Sequence, residues 1–263
     1  TRLEPMTQYL LKVIVPIVGT NVLVIIYAID CVAIRRGRVK GNLVALVGSI
    51  GALVKAFFIS ITISIMTPFQ CEQHPNGAWT MKQFPSELCW EGSTHTSMTA
   101  VAALALLVPA AFISATIYAL RALPKKLQEG DVHFLNMIGF LIAKLRPAAR
   151  WYALAFLMRN LILATIPALP GAMTQIVIMQ CILAGSLVMS AKVSPWRVRT
   201  ANITELWTTI AVILLVTLGA FFIPATGLTV VSELAVAVVI VGVLVLPACI
   251  AFGAYHASAS FRE

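Results

Sequence analysis

Charged side chains are scarce in this chain, and acidic ones are scarcer than basic ones. Only 11% of the 263 residues are charged, with 10 Asp or Glu against 19 Lys or Arg. Hydrophobic residues make up 60% and the mean hydropathy is +0.93, whereas a typical soluble domain is ~45–50% apolar and ~25% charged. A soluble domain of this length could not bury that much apolar surface. The composition therefore predicts an integral membrane protein.

The signatures of several functional classes are also missing from the sequence. It contains no Gly-x-Ser-x-Gly, no His-Glu-x-x-His and no phosphate-binding glycine loop, so we predict that the chain is not an enzyme. The last apolar segment, residues 229–255, lacks the lysine that a retinal protein needs, and the receptor signatures Asp/Glu-Arg-aromatic and Asn-Pro-x-x-Tyr do not occur where expected. The basic residues are not interleaved with aromatic ones, so we predict no nucleic-acid partner.

Long apolar segments are abundant, and seven of them alternate with polar loops. Each is long enough, at ~1.5 Å per residue, to cross a hydrocarbon core of ~30 Å. The predicted fold is therefore all-α, a single transmembrane helical domain over residues 1–263 with seven spans in a polytopic bundle. The segments are residues 13–31, 43–66, 98–120, 151–169, 172–191, 206–223 and 229–255.

The basic residues predict the orientation of this bundle. They lie mostly in the loops after the first, third and fifth segments, and the opposite side has only Arg2, Lys12 and Lys82. The positive-inside rule then places the N-terminus outside and the C-terminus inside. Within the third loop, residues 131–146 carry apolar residues at helical spacing, which predicts an interfacial helix on the cytoplasmic side. A re-entrant segment is the alternative.

Residues 67–97 form the one substantial loop on the predicted outer side. Cys71 and Cys89 lie in it, and we predict a disulfide between them, which on an entropy basis contributes ~3 kcal/mol. His74 and His95 raise the possibility of a metal site, but the Cys/His spacing matches no zinc pattern, so we predict none. The His-Pro-Asn-Gly sequence that begins at His74 predicts a turn, with Asn-Gly supplying the positive φ.

Ionisable side chains inside the apolar segments are functional candidates, because each costs at least ~2.5 kcal/mol at the membrane centre. Lys55 is centred on a stripe of small residues, which predicts that it points into the bundle. The alternative is a structural role, as an ion pair (for example between Lys55 and Glu233) or as a lysine that reaches carbonyl groups and water. The full set of intramembrane polar candidates is Lys55, Arg159, Asn160, Glu233 and Asp30.

The sequence gives little indication of a bound cofactor. No histidine lies inside a span, so a pigment would need weaker ligands, and amides of this kind more often bond between helices. We therefore predict no cofactor beyond bound lipid, with pigment binding as the weaker alternative. The side chains that would have to serve as pigment ligands are Asn21, Gln175, Gln180 and Glu233.

A series of short motifs runs through residues 43–223. They are Phe69-Gln-Cys71, Phe84-Pro-Ser-Glu-Leu-Cys89-Trp90, His95, Pro109, Phe134-Leu135, Trp151, Met158-Arg159-Asn160, Pro195-Trp196 and Asn202 to Glu205. The series resembles the C-terminal multi-pass membrane region of large protist surface proteins, which are grouped with transient-receptor-potential-like and polycystin-like channels. That resemblance implies a long ectodomain before the helices. The chain starts at Thr1 without an initiator Met or signal peptide, so we expect a processed chain or the membrane part of a longer one.

Three functions from different classes follow. The first is a non-catalytic membrane anchor or scaffold module of a larger protein or complex. The second is a transient-receptor-potential-like cation channel or transporter subunit, in which Lys55 and Arg159 line a polar interior. The third is an accessory subunit of an energy-transducing supercomplex. The expected partners are the lipid bilayer and other membrane subunits or a separate ectodomain, in a cell-surface membrane or alternatively a plastid or mitochondrial one.

Overall fold

The chain folds mainly into helices. The computed structural model describes residues 4–29 and 40–220, and 77% of the structure is helical. The helices are α1 (Pro5–Ile29), α2 (Lys40–Met66), α3 (Ser93–Ala105), α4 (Leu107–Gln128), α5 (Val132–Met137), α6 (Gly139–Ile142), α7 (Tyr152–Thr165), α8 (Ala172–Val193) and α9 (Arg199–Ala220), and the strands are β1 (Cys71–Gln73), β2 (Trp79–Met81) and β3 (Phe84–Leu88).

Four helical stretches among the described residues are long and apolar enough to cross a membrane, which is consistent with an integral membrane protein. They correspond to the second, third, fifth and sixth predicted segments. The fourth segment is shorter, since α7 has 14 residues and is followed by a 3-10 turn. Residues 13–29 of the first segment lie in α1, and the seventh lies outside the described residues. The four stretches are Leu46–Phe69, Ser93–Gln128, Ala172–Val193 and Arg199–Ala220.

The third predicted segment is much longer in the structure than in the sequence analysis. Helices α3 and α4 together cover 36 residues, or about 54 Å at ~1.5 Å per residue, against a hydrocarbon core of ~30 Å. They are separated at Leu106, three residues before Pro109, whose ring excludes the carbonyl four residues back and whose nitrogen cannot donate. The last two turns of α4 therefore extend beyond residue 120, where the apolar segment ends.

The predicted interfacial helix at 131–146 forms two short helices instead of one. Asp131 caps the start of α5, and its carboxylate accepts the backbone N–H of Phe134 at 3.0 Å. The helix is interrupted at Ile138, and α6 starts at Gly139. Glycine is a poor helix former, which explains a break at this point.

The described residues divide into two compact units. The first contains residues up to 143 together with residues 150–168, and the second contains residues 144–149 and those from 169 onward. In the first unit α2 packs against α1, α7 and α5–α6. Phe58, Ile113 and Leu157 form a buried cluster that joins α2, α4 and α7.

In the second unit α8 packs along α9. Residues 144–149 join this pair through an isolated antiparallel bridge between Leu145 and Trp196. The backbone N–H of Arg146 donates to Pro195 at 2.8 Å, and that of Arg197 donates to Lys144 at 3.0 Å. The segment before α7 is thereby tied to the segment between α8 and α9.

Candidate functional site

The segment between α2 and α3, residues 67–92, is a small folded element that we call the cap. Its three strands form an antiparallel sheet in the order β1-β2-β3, with Cys71 opposite Met81. The predicted turn at 74–77 is confirmed, with Gly77 at φ +82° and the N–H of His74 donating to the carbonyl of Ala78 at 2.9 Å. The last residues of the predicted loop, 93–97, belong to α3.

The predicted disulfide between Cys71 and Cys89 is confirmed. It joins β1 to the residue that follows β3, and both cysteines are buried. They share one hydrophobic cluster with Met81 and Phe84 of the sheet and with side chains from the ends of three helices. The helical members of that cluster include Tyr9, Ile61, Ile65, Met98 and Ala102. The cap and the adjoining helix ends therefore have a common core.

His95 connects the cap to α3. It is only 2% exposed. Its Nδ1 accepts the backbone N–H of Trp90 at 3.2 Å, and its Nε2 donates to the carbonyl of Pro68 at 3.1 Å. These two bonds require a neutral imidazole with the proton on Nε2. The histidine fixes both ends of the cap to the first turn of α3.

The same histidine lies close to the disulfide. The two sulfurs and a ring nitrogen of His95 are within 4.8 Å of one another. However, the sulfurs are bonded to each other and both ring nitrogens are engaged in hydrogen bonds. Cysteine coordinates zinc as a thiolate, so Cys71, Cys89 and His95 have a structural role in the folded protein. Sequence spacing identified the cysteine pair but not this use of His95.

The segment around Trp90 carries backbone strain and presents an aromatic surface. Trp90 has φ +67° and Gly92 has φ +86°. A positive φ is uncommon for a tryptophan, and the surrounding structure must hold it, which the bond from its N–H to His95 does. The Trp90 side chain is 65% exposed, and Leu88 nearby is also exposed.

Lys55 lies in the interior of α2 and is half-buried. Its Nζ donates to the backbone carbonyl of Phe140 in α6 at 3.1 Å. Helical side chains lean toward the N-terminus of their helix, so the lysine reaches past Gly51 toward that carbonyl. The Phe140 ring covers Gly51 so closely that a Cβ there would meet ring atoms at 2.3 Å. The structure therefore gives Lys55 a structural contact with the α5–α6 segment.

Arg159 and Asn160 lie side by side on α7. The guanidinium carbon of Arg159 is 4.7 Å from the ring centroid of Phe156, one turn earlier, which is a cation–π geometry. Asn160 is buried. Two further candidates, Asp30 and Glu233, lie outside the described residues, and so does the pairing of Lys55 with Glu233.

Two amides of the second unit make specific bonds: Gln180 connects α8 to α9, and Asn202 connects the first turn of α9 to the segment that precedes it. The Nε2 of Gln180 donates to the carbonyl of Ile213 at 3.1 Å and to the hydroxyl of Thr217 at 2.7 Å. Asn202 holds the backbone of Trp196 from both sides, since it accepts its N–H and donates to its carbonyl, each at 2.9 Å. Gln180, considered above as a pigment ligand, thus uses its amide NH₂ between helices.

Glu205, like Asn202, bonds to Trp196. Its carboxylate accepts from the indole N–H of Trp196 and from the hydroxyl of Ser190 at 3.4 Å. The Pro-Trp and Asn-to-Glu motifs of residues 195–196 and 202–205 therefore form one polar cluster at the start of α9. The sequence placed these residues near each other in the chain but did not indicate how they bond.

Comparison with known proteins adds no further assignment. No protein family, curated protein or solved structure matches the chain. The resemblance to protist surface proteins therefore stays a prediction.

Proposed function

We propose that the chain is a non-catalytic, multi-pass membrane module that anchors or scaffolds a larger protein or complex. The observation that supports this most is the use of its intramembrane polar groups. Lys55 bonds to a backbone carbonyl of another helix, and Gln180 bonds from α8 to α9. Hydrogen bonds of this kind hold membrane helices together, as a scaffold requires.

The cap supports the same proposal. A disulfide, a paired sheet and two bonds from His95 hold it in one arrangement, and it presents the exposed side chains of Trp90 and Leu88. Exposed aromatic side chains on a rigid support are typical of protein interfaces. We propose that this surface contacts a neighbouring subunit or an ectodomain.

The topology belongs to this proposal as well. We propose seven spans with the N-terminus outside and the C-terminus inside, because the basic residues cluster in alternate loops. This orientation puts the cap on the outer side, where a disulfide persists. A cell-surface membrane fits that arrangement, and a plastid or mitochondrial membrane is the alternative.

One observation favours a second candidate, a cation channel or transporter subunit. Lys55 is nine residues from Leu46, where the candidate span begins, which places it about 13 Å into the membrane at ~1.5 Å per residue. Ionisable residues at such depth often mark transport pathways. The third candidate, an accessory subunit of an energy-transducing complex, shares the scaffold's chemistry and differs only in its partners.

Two measurements on the same chain separate these functions. Native membranes are cross-linked and the assemblies that contain the chain are sized and identified by mass spectrometry. The purified chain is also reconstituted in liposomes and cation flux is recorded for the wild type, for Lys55→Met, and for Lys82→Met as a control in the β2–β3 turn. The scaffold proposal expects a hetero-assembly of fixed stoichiometry and no flux above empty liposomes.

Other results would contradict it. Cation flux that Lys55→Met abolishes and Lys82→Met preserves, in a homo-oligomer with a central pore, would establish the channel. Respiratory or photosynthetic subunits in the cross-linked assembly would establish the accessory role. A chain that is alone in its native membrane would exclude both assembly functions.

A further inference from the structure

A cavity of about 310 Å³ lies within the first unit, between α2, α4 and the α5–α6 segment. This volume is at the lower end of the ~300–1,000 Å³ found for small-molecule sites. Its walls include Val47, Gly51, Ala115, Tyr118 and Phe140, which present almost only hydrocarbon and aromatic surface. The hydroxyl of Thr116, a further lining residue, donates to its own helix, at the carbonyl of Phe112, 2.9 Å away. A polar ligand would find few partners here.

The depth of the cavity indicates its natural surroundings. The α2 wall runs from Val47 to Val54, within the first nine residues of the candidate span Leu46–Phe69, so it extends to about 12 Å inside the end of the span at ~1.5 Å per residue. An opening at this depth faces the lipid close to a membrane surface. The α5–α6 segment forms the opposite wall. It is held against α2 by the Phe140 ring, which packs on Gly51, and by the hydrogen bond from Lys55 to the Phe140 carbonyl.

Positive charge follows the cavity along α4. Tyr118, which lines the cavity and is 69% exposed, is followed at helical spacing by Arg121 and Lys125. Positions i, i+3 and i+7 share one helix face. Arg121 is exposed, and the Lys125 side chain is 82% exposed with Glu129 at 3.9 Å. By contrast, Lys126 is held by Glu129 at 2.9 Å and Asp131 at 3.2 Å.

We propose that the cavity holds one acyl chain of an anionic glycerophospholipid whose phosphate lies at Arg121 and Lys125. The apolar walls suit an acyl chain, and the membrane depth supplies one. Basic residues just beyond the hydrocarbon layer attract anionic headgroups, and here they follow on the same face of α4. The α5–α6 segment then contributes one wall of a lipid site, which is a role beyond anchoring and holds whichever assembly the chain joins.

Native mass spectrometry of the purified chain, titrated with phosphatidylserine or phosphatidylcholine, tests the proposal. Arg121→Gln with Lys125→Gln should lower the preference for phosphatidylserine by up to about 30-fold, the factor expected for two surface basic residues. Its matched control, Lys144→Gln with Arg146→Gln, removes the same two charges elsewhere and should keep the preference. An unchanged preference in the first variant, or an equal loss in the control, would overturn the headgroup assignment.

The acyl-chain site is tested by filling it. Ala115→Phe places a ring in the cavity and should remove one bound lipid of either headgroup. Ala110→Phe, at an exposed position of α4 that does not line the cavity, should remove none. Equal lipid counts in the two variants would refute the site.

A second measurement needs no variant and so does not depend on how the variants fold. The wild-type chain in nanodiscs is labelled with a phosphatidylserine that carries a diazirine midway along one acyl chain. Adducts should concentrate on the lining residues of α4 to α6. Labelling spread evenly over lipid-facing positions such as Leu104, Leu214 and Leu218 would refute the proposal.

Discussion

Removal of the disulfide tests how far the cap depends on covalent closure. Cys71 and Cys89 are 18 residues apart, and closing a loop of this length stabilises the folded state by ~3 kcal/mol on the entropy argument. Cys71→Ala with Cys89→Ala should therefore lower the free energy of cap opening by that amount. Alanine is used instead of serine because both sites are buried, and a serine hydroxyl there would be buried without a partner.

Hydrogen–deuterium exchange of the β2 amides in nanodiscs is the assay. A loss of ~3 kcal/mol corresponds to about 150-fold faster exchange. Cys181→Ala is the matched control, since it removes an exposed free cysteine in the second unit and should leave β2 unchanged. Reductant should accelerate β2 exchange in the wild type and in Cys181→Ala, which both keep the disulfide, and should have no effect in the double variant. If β2 exchanged at the wild-type rate in the double variant, sheet pairing and His95 would hold the cap by themselves and the reasoning would be wrong.

Three further predictions concern the helices. Gly51→Ala should destabilise the first unit by ~1–3 kcal/mol, because its Cβ would meet the Phe140 ring at 2.3 Å. Gly48→Ala is the control and should not destabilise it, because the atom nearest to a Cβ there is 3.7 Å away. Thermal unfolding of the two variants compares them. Asn202→Ala leaves a backbone N–H and carbonyl without their side-chain partner and should cost ~1–3 kcal/mol, seen as a lower unfolding temperature. The pKa of Asp131 is lowered, mainly because its carboxylate accepts the backbone N–H of Phe134 and next because it bonds to Lys126. The stabilisation that Asp131 contributes is therefore complete above pH ~3.9 and is lost as the pH falls through the folded-state pKa. Asp131→Asn should remove that acid-dependent loss in an unfolding titration.

The cap shows which features a sequence can reveal. Cys71, Cys89 and the Asn-Gly turn are local signals, and the structure confirms the disulfide and the turn. The strands were not predicted, because each has only three to five residues and too few positions for a period of two to appear. The role of His95 depends on backbone groups of Trp90 and Pro68, which carry no signal in the sequence.

Helix boundaries were less predictable than helix existence. Helix α1 begins at Pro5, eight residues before the predicted segment, and α4 ends at Gln128, eight residues after it. Lysine, arginine and glutamine are good helix formers, so a helix continues where its apolar run stops. The membrane limits the apolar length, while local propensity and capping decide where the helix itself ends.

The intramembrane site was predictable only in part. The stripe of small residues predicted that Lys55 points into the bundle; the structure shows Lys55 half-buried and the Phe140 ring against Gly51 of the same helix. The acceptor for Lys55 is a backbone carbonyl, which every residue possesses, so composition could not identify it. The sequence indicated that an amide such as Gln180 bonds between helices, but not that its acceptors are the Ile213 carbonyl and the Thr217 hydroxyl; the bonds of Asn202 to the backbone of Trp196 were missed for the same reason as the acceptor of Lys55.

The shared core of the cap has a mechanical consequence for the first unit. At the cap, the end of α2 and the start of α3 are joined by paired strands, a covalent bond and buried side chains. Relative sliding of these two helices would disturb the buried side chains they share with the cap and the two hydrogen bonds of His95. At the other end of α2, the α5–α6 segment is held by side-chain packing and hydrogen bonds, which can exchange one at a time. One end of α2 is therefore held by a covalently closed element and the other by non-covalent contacts alone, and we expect structural adjustments to the bilayer or to neighbours to start at the second end.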